Sequence, residues 1–385
     1  MPEALCPLLS SLPAIEETGP FAVYRKKAWE RFLSLGLPTG KEEAFRAVML
    51  RTLYQKQAKG AASHSFLPRE TGSKALFLSL EEAATRFPFV IKDRVEKFIQ
   101  NEKNPFALLA FALSRGGAFL YVPPGCQQET PFEIKISEDA LACPYLLVAM
   151  GKGSSLKLVV TREPSELSFG LIDLFLDSGA RCHLTEVQEG NSEAIAFHSL
   201  RGELKKDSYL QSLHFSKGSK IDFHHKRVTL AGEGCEADLA GLWNLKESRT
   251  SQAWIEMVHV EPNTRSLQRF KGTLFDKSAS SFHGEIFVDP IAQKTDAYQM
   301  NQNLILSDEA RAEARPNLQI FADDVKASHG STTGGLRPEE IFYLKSRGIP
   351  EVKAKGLLIH AFLDEIISLH PESIRRKELA QWIQK

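Results

Sequence analysis

One stretch concentrates side chains that could do chemistry: FADDVKASHGSTTGG, running from Phe321 to Gly335. Two adjacent carboxylates, Asp323 and Asp324, stand a few residues ahead of His329. Such a set supports two chemistries. The carboxylates can act as acid and base across a glycosidic bond, with the imidazole assisting. Alternatively, the neutral imidazole can bind a borderline metal such as iron. A plainer account stays open, in which the aspartates cap turns and the imidazole satisfies a backbone carbonyl. Alternation from Leu318 predicts a strand through Val325 with His329 at its exit, and GSTTGG reads as a loop leaving that strand. His224, His225, His259 and His283 lie inside strand patterns, where a structural role is the common one.

Other chemistries lack their residues. There is no G-x-x-x-x-G-K-[ST] and hence no phosphate-binding loop, no H-E-x-x-H and no G-x-S-x-G. The five cysteines are Cys6, Cys126, Cys143, Cys182 and Cys235. Their number is odd and no two form a C-x-x-C pair, so they read as small buried hydrophobes rather than a disulfide framework or a zinc ribbon.

Lys plus Arg and Asp plus Glu both number 48, so the formal charge is zero. That balance argues against a nucleic-acid partner. The first residues, MPEALCPLLSSLPAIEETGP, lack a basic segment before their apolar ones, and prolines interrupt them. No run of about 20 apolar residues occurs; the nearest, Pro105 to Val122, is broken by Arg115, Gly116 and Gly117. The expectation is a cytoplasmic chain without a membrane partner.

The elements that must position Asp323, Asp324 and His329 fall into three textures. Residues 1–122 are mainly helical. Tyr24 to Leu35 has apolar residues at helical spacing and a stop at Gly36. Arg94 to Arg115 has a second helical pattern, which Pro105 kinks or splits. The intervening GAASHSFLPRETGSKA reads as a loop. From 123 to 331 short alternating runs take over, each begun by Gly, Asp, Asn or Ser. From Lys217 onward they recur roughly every 14 to 17 residues. A sandwich, a barrel or a solenoid would fit, and the lack of Asn-Gly and Asp-Gly turns disfavours an antiparallel meander. Residues 332–385 return to helices, opened by Pro338 and Pro350 and followed by a third after Pro371. The second of these is too broadly apolar for a solvent-bathed helix, so its own domain or a partner must cover it.

The run from Ala292 to Ile349, AQKTDAYQMNQNLILSDEARAEARPNLQIFADDVKASHGSTTGGL followed by EEIFYLKSRGI, resembles the SufB/SufD family of iron–sulfur cluster assembly subunits. HVEPNTRSLQRFKG and GLPTGKEE are similar to further segments of that family. The SufD-like branch fits better, because SufB-like chains carry functional cysteines in the core and near the C-terminus, and this chain has none after Cys235. The resemblance implies a mainly β fold: a right-handed parallel β-helix (a solenoid) flanked by helical N-terminal and C-terminal regions. It implies a non-catalytic scaffold that pairs with a SufB-like subunit and binds a separate SufC-like ATPase, with a sulfur-donor system acting indirectly. The docking surface would lie on the C-terminal helices, at Ile341, Phe342, Tyr343, Leu344, Arg347, Leu358 and Phe362. A transient iron–sulfur cluster would form at the junction with the partner. His329 matches the histidine of the family's C-S-H-G motif and is the expected metal ligand, with Asp323 and Asp324 orienting its ring. The motif's cysteine is Ala327 here, so no thiolate comes from that position. A carbohydrate-active β-helix enzyme using Asp323 and Asp324 is the competing expectation.

Overall fold

Parallel strands cannot be joined by tight hairpins, so a train of short strands with short turns must wind rather than fold back. The computed structural model, which describes residues 6–15, 18–69, 74–164 and 166–384, winds in this way. It is mainly β, with a parallel solenoid of about 8 turns and helices at both ends.

Each turn contributes one strand to each of two sheets. In the first sheet Phe132–Glu138, Ser155–Arg162, Arg181–Gln188, Tyr209–Ser216, Glu236–Leu245, Arg265–Leu274, Thr295–Ile305 and Val325–Gly334 stack in chain order, all parallel. The facing sheet stacks from Ala118–Val122 up to Arg311–Ile320. Partners in neighbouring rungs are about 30 residues apart, so the sequence period of 14 to 17 corresponds to one strand, half a rung.

The corners explain the small and turn-forming residues. Gly153, Gly179, Asp207, Gly234, Asn263 and Lys294 recur at equivalent corners, all with positive φ. Each donates its backbone N–H to the next turn: Gly179 to Lys206 O, Asp207 to Glu233 O, Lys294 to Asp324 O. Glycine carries no steric penalty at such a φ, and Asp and Asn tolerate it better than other residues.

Inward side chains form the main core, with Ile134, Val160, Leu184, Leu239, Phe270, Phe282 and Ile286 among them. The N-terminal helices cover the outer face of the second sheet. There Phe106 meets Phe197 with ring centroids 4.3 Å apart, and Phe45 stacks on Phe223 at 5.2 Å. Pro105 splits the second helical pattern into Pro88–Asn101 and Pro105–Ala112, with Asn104 as the new N-cap accepting from Phe106 N. At the other end Pro338–Ser346, Glu351–Ile367 and Ser373–Gln384 are the C-terminal helices.

The expected loop GAASHSFLPRETGSKA contains structure instead. His64–Arg69 pairs antiparallel with Phe132–Glu138, and just beyond the stretch Leu76–Ser79 pairs antiparallel with Ala118–Val122. These two strands cover the first edge of each sheet, which would otherwise expose a row of unpaired backbone groups. Pro68 is tolerated because its strand is an edge.

The last rung is built differently from the expectation as well. The strand after Leu318 ends at Ile320, residues 321–324 turn the corner, and a new strand spans Val325–Gly334. His329 is thus in mid-strand, and Gly330 to Gly334 are strand rather than loop. The second edge of each sheet, Arg311–Ile320 and Val325–Gly334, has no strand beyond it among the described residues.

Candidate functional site at the open end of the solenoid

In-register stacking allows the site to be read one column at a time. One inward column of the first sheet runs Phe132, Leu158, Leu184, Ser212, Leu239, Gln268, Gln299 and His329. Its lower members are buried, Gln299 and Gln268 completely. His329 continues the same column and is exposed because no further rung covers it. The imidazole therefore belongs to the interior face of the sheet, at the mouth of the solenoid. Ala327 is also inward, one alternation away, and packs against the core.

The structure does not bring Asp323 and Asp324 to His329. Both are exposed in the corner turn, where Asp324 N donates to Gln293 Oε1 (2.9 Å). Asp324 and His329 are five residues apart on the chain. At about 3.3 Å rise per strand residue their Cα atoms lie roughly 16 Å apart. The Asp324 backbone, which also accepts from Lys294 N, ties this corner to the one below.

Deeper in the lumen is a polar chamber that sequence reasoning missed. Lys226 pairs with Glu186 and donates to Ser212 Oγ (2.9 Å). Asp222 Oδ1 lies 2.7 Å from His224 Nε2, and Asp222 Oδ2 accepts from Ser216 Oγ at 2.7 Å. His224 Nε2 is 3.1 Å from His214 Nε2, and His198 Nδ1 is 2.9 Å from Gln188 Oε1. Burial opposes the charge on Glu186, but Lys226 and Arg162 outweigh it and hold the carboxyl below its ordinary range. Burial, reinforced by neighbouring cations, pushes His198 and His214 well below the usual imidazole range, so both are neutral. The signal lay in Glu186, His214 and Lys226 occupying inward positions of otherwise apolar alternation. No motif of adjacent residues marks them, because the chamber forms only when rungs stack.

Two of the histidines read as structural, His259 and His225, have close side-chain partners. His259 sits between two hydroxyls, Thr264 Oγ1 at 2.8 Å and Ser266 Oγ at 2.9 Å. His225 stacks on Trp254 with ring centroids 3.8 Å apart and holds Glu256 at 2.6 Å. Among the described residues, no three His, Cys, Asp or Glu side chains are grouped to hold a metal ion.

The C-terminal helices divide their apolar residues between two faces. Leu363, Ile366 and Ile367 are buried on Val187, Leu213, Phe215, Ala240 and Leu242 of the first sheet's outer face. Phe342 and Tyr343 remain 73% and 57% exposed, and Val352 is 86% exposed. Ile341, Leu344, Leu358 and Phe362 are half-buried, and Lys271 Nζ lies 4.3 Å from the Phe362 ring centre. Arg347 is exposed, its guanidinium 5.3 Å from the Tyr343 ring centre.

A family model described as SUF system FeS cluster assembly, SufBD core domain, matches residues 133–362, more than half of the chain. The chain belongs to the SufBD family. A SufBD family protein of Mycobacterium leprae is 25% identical over 374 residues, covering 93% of this chain and 91% of its own. The Bacillus subtilis iron–sulfur cluster assembly protein SufD is 27% identical over 350 residues, covering 87% of this chain and 79% of its own. Escherichia coli SufD is 31% identical over 211 residues, 54% of this chain and 49% of its own. The SufBD match begins within the strand Phe132–Glu138 and ends inside the helix Glu351–Ile367, so it takes in the polar chamber, the open end and His329. A role in iron–sulfur cluster assembly follows from the family. None of the helices formed by the described residues is long and apolar enough to cross a membrane.

Proposed function

We propose that this chain is a non-catalytic cytoplasmic scaffold for iron–sulfur cluster assembly, pairing through its open end with a SufB-like subunit. Residues 123–331 act as its core, with the helical region 1–122 packed on one face. Residues 332–385 dock a separate SufC-like ATPase. The observation that carries the reading is the open last rung: two strands that, among the described residues, are paired on one side only, with an inward imidazole between the sheets. An uncovered edge of this kind is a template for another chain.

The cluster is cargo here. Iron–sulfur clusters are held mostly by thiolates, with histidine an occasional ligand. This chain offers His329 and, with Ala327 in place of the motif's cysteine, no thiolate beside it. The remaining ligands come from the partner, and a site split between two chains suits a cluster that is built and then released. A sulfur donor reaches it through that partner. The match to the SufBD core leaves the carbohydrate-enzyme reading of Asp323 and Asp324 without an observation in its favour. The test is the iron and sulfide content of the complex reconstituted with His329→Ala. Loading should fall severalfold while the complex still forms. Wild-type loading would overturn the ligand role of His329.

A further inference from the structure

Directly beneath His329, one rung down the same inward column, Gln299 is completely buried, and neither its side-chain oxygen nor its nitrogen has a hydrogen-bond partner in the protein. An unpaired buried amide is destabilising, so one that persists calls for an explanation. The space it occupies is reserved for it. Gly284 faces it from the second sheet, and a Cβ there would collide with the Gln299 amide nitrogen. Asn303 Nδ2 donates to Asn301 Oδ1 at 2.7 Å, while Gln268, one rung further down the column and equally buried, also has no side-chain partner in the protein.

A histidine that ligates through one nitrogen nearly always donates its other N–H to a fixed acceptor, which sets tautomer and orientation. Adjacent rungs are about 4.8 Å apart, which puts the Gln299 amide within reach of the ring above. The terminal torsion of glutamine is broad and roughly two-fold, so its carbonyl can turn toward that ring at little expense. We propose that Gln299 is the positioning residue for His329: its side-chain carbonyl accepts the Nδ1–H of the imidazole and leaves Nε2 unprotonated, facing out of the mouth. The consequence for the cluster rests on the ligand role proposed above for His329; the hydrogen bond itself does not.

The test uses the full chain with ¹⁵N-labelled histidine at about pH 8.5, well above the ordinary imidazole pKa of roughly 6.5. The His329 ring is assigned by its loss in His329→Ala. The expected result is the Nδ1–H tautomer in the wild type, and reversion to the Nε2–H form that free imidazoles favour in Gln299→Met. Gln299→Glu, which keeps an acceptor, should retain Nδ1–H. An Nε2–H ring in the wild type, or an Nδ1–H ring that survives Gln299→Met, overturns the proposal. Should Gln299→Met not fold, Gln299→Asn, with the amide withdrawn by one methylene, reads the same dependence. If the tautomer follows Gln299 while His329→Ala complexes load normally, the ligand reading fails and the positioning stands.

Discussion

A buried histidine is a wager on pH, and His259 shows it most cleanly. Burial alone pushes its imidazole down to about 4, against an ordinary value of 6.5. The folded ring resists protonation while the unfolded one accepts it. The unfolded chain therefore binds more protons between about pH 6.5 and 4, and stability falls as pH drops through that window. Above it the group makes no pH-dependent contribution. The shift corresponds to on the order of 3 kcal/mol, with His198 and His214 adding in the same direction. His259→Gln should lower the urea midpoint at about pH 7.5 yet shrink the further fall between there and about pH 5. An unchanged fall would mean that other groups carry the acid sensitivity. At this scale the sequence was legible only in part. ASHG singled out His329, whose mid-strand, inward register the sequence did not show, and adjacency misled for Asp323 and Asp324. A corner turn and about 16 Å of strand separate them from the ring, whereas Gln299, 30 positions earlier, sits in register with it.

Among the elements, the helix Glu351–Ile367 carries two duties on two faces. Its buried residues hold it to the first sheet, and the exposed ones, with those of Pro338–Ser346, are free for the proposed ATPase. The duties separate by mutation. Ile366→Ala, at a fully buried position, should cost about 2–5 kcal/mol of stability. Val352→Glu and Phe342→Ser, at exposed ones, should shift stability by no more than about 0.5 kcal/mol yet abolish co-purification of the ATPase. Retained binding by the double variant would place docking elsewhere. These helices were legible from their prolines, glycines and periodicity. The strands were legible too, as alternating runs. The two antiparallel edge strands were not, because the stretch holding His64–Arg69 is dense in Gly, Ser, Pro and Thr, and the partner that makes it a strand is some 70 residues away.

For the whole molecule, a stack of rungs has a stability that is a sum of rung and nearest-neighbour terms, so its ends are its weakest parts. Hydrogen exchange in the isolated chain should be fastest at Arg311–Ile320 and Val325–Gly334 and slowest in the middle rungs; adding the partner should protect the last two strands by at least tenfold. Equal protection along the axis would argue against an open end. The opposite end differs, since His64–Arg69 and Leu76–Ser79 run against the direction of the stack and are themselves the edge strands there. That asymmetry fixes the arithmetic of assembly. A parallel stack with two receptive ends would add copies head to tail and grow into a filament. With one end finished by reversed strands, one of them carrying Pro68, an open parallel end finds no matching continuation there, and head-to-tail growth along the axis is disfavoured.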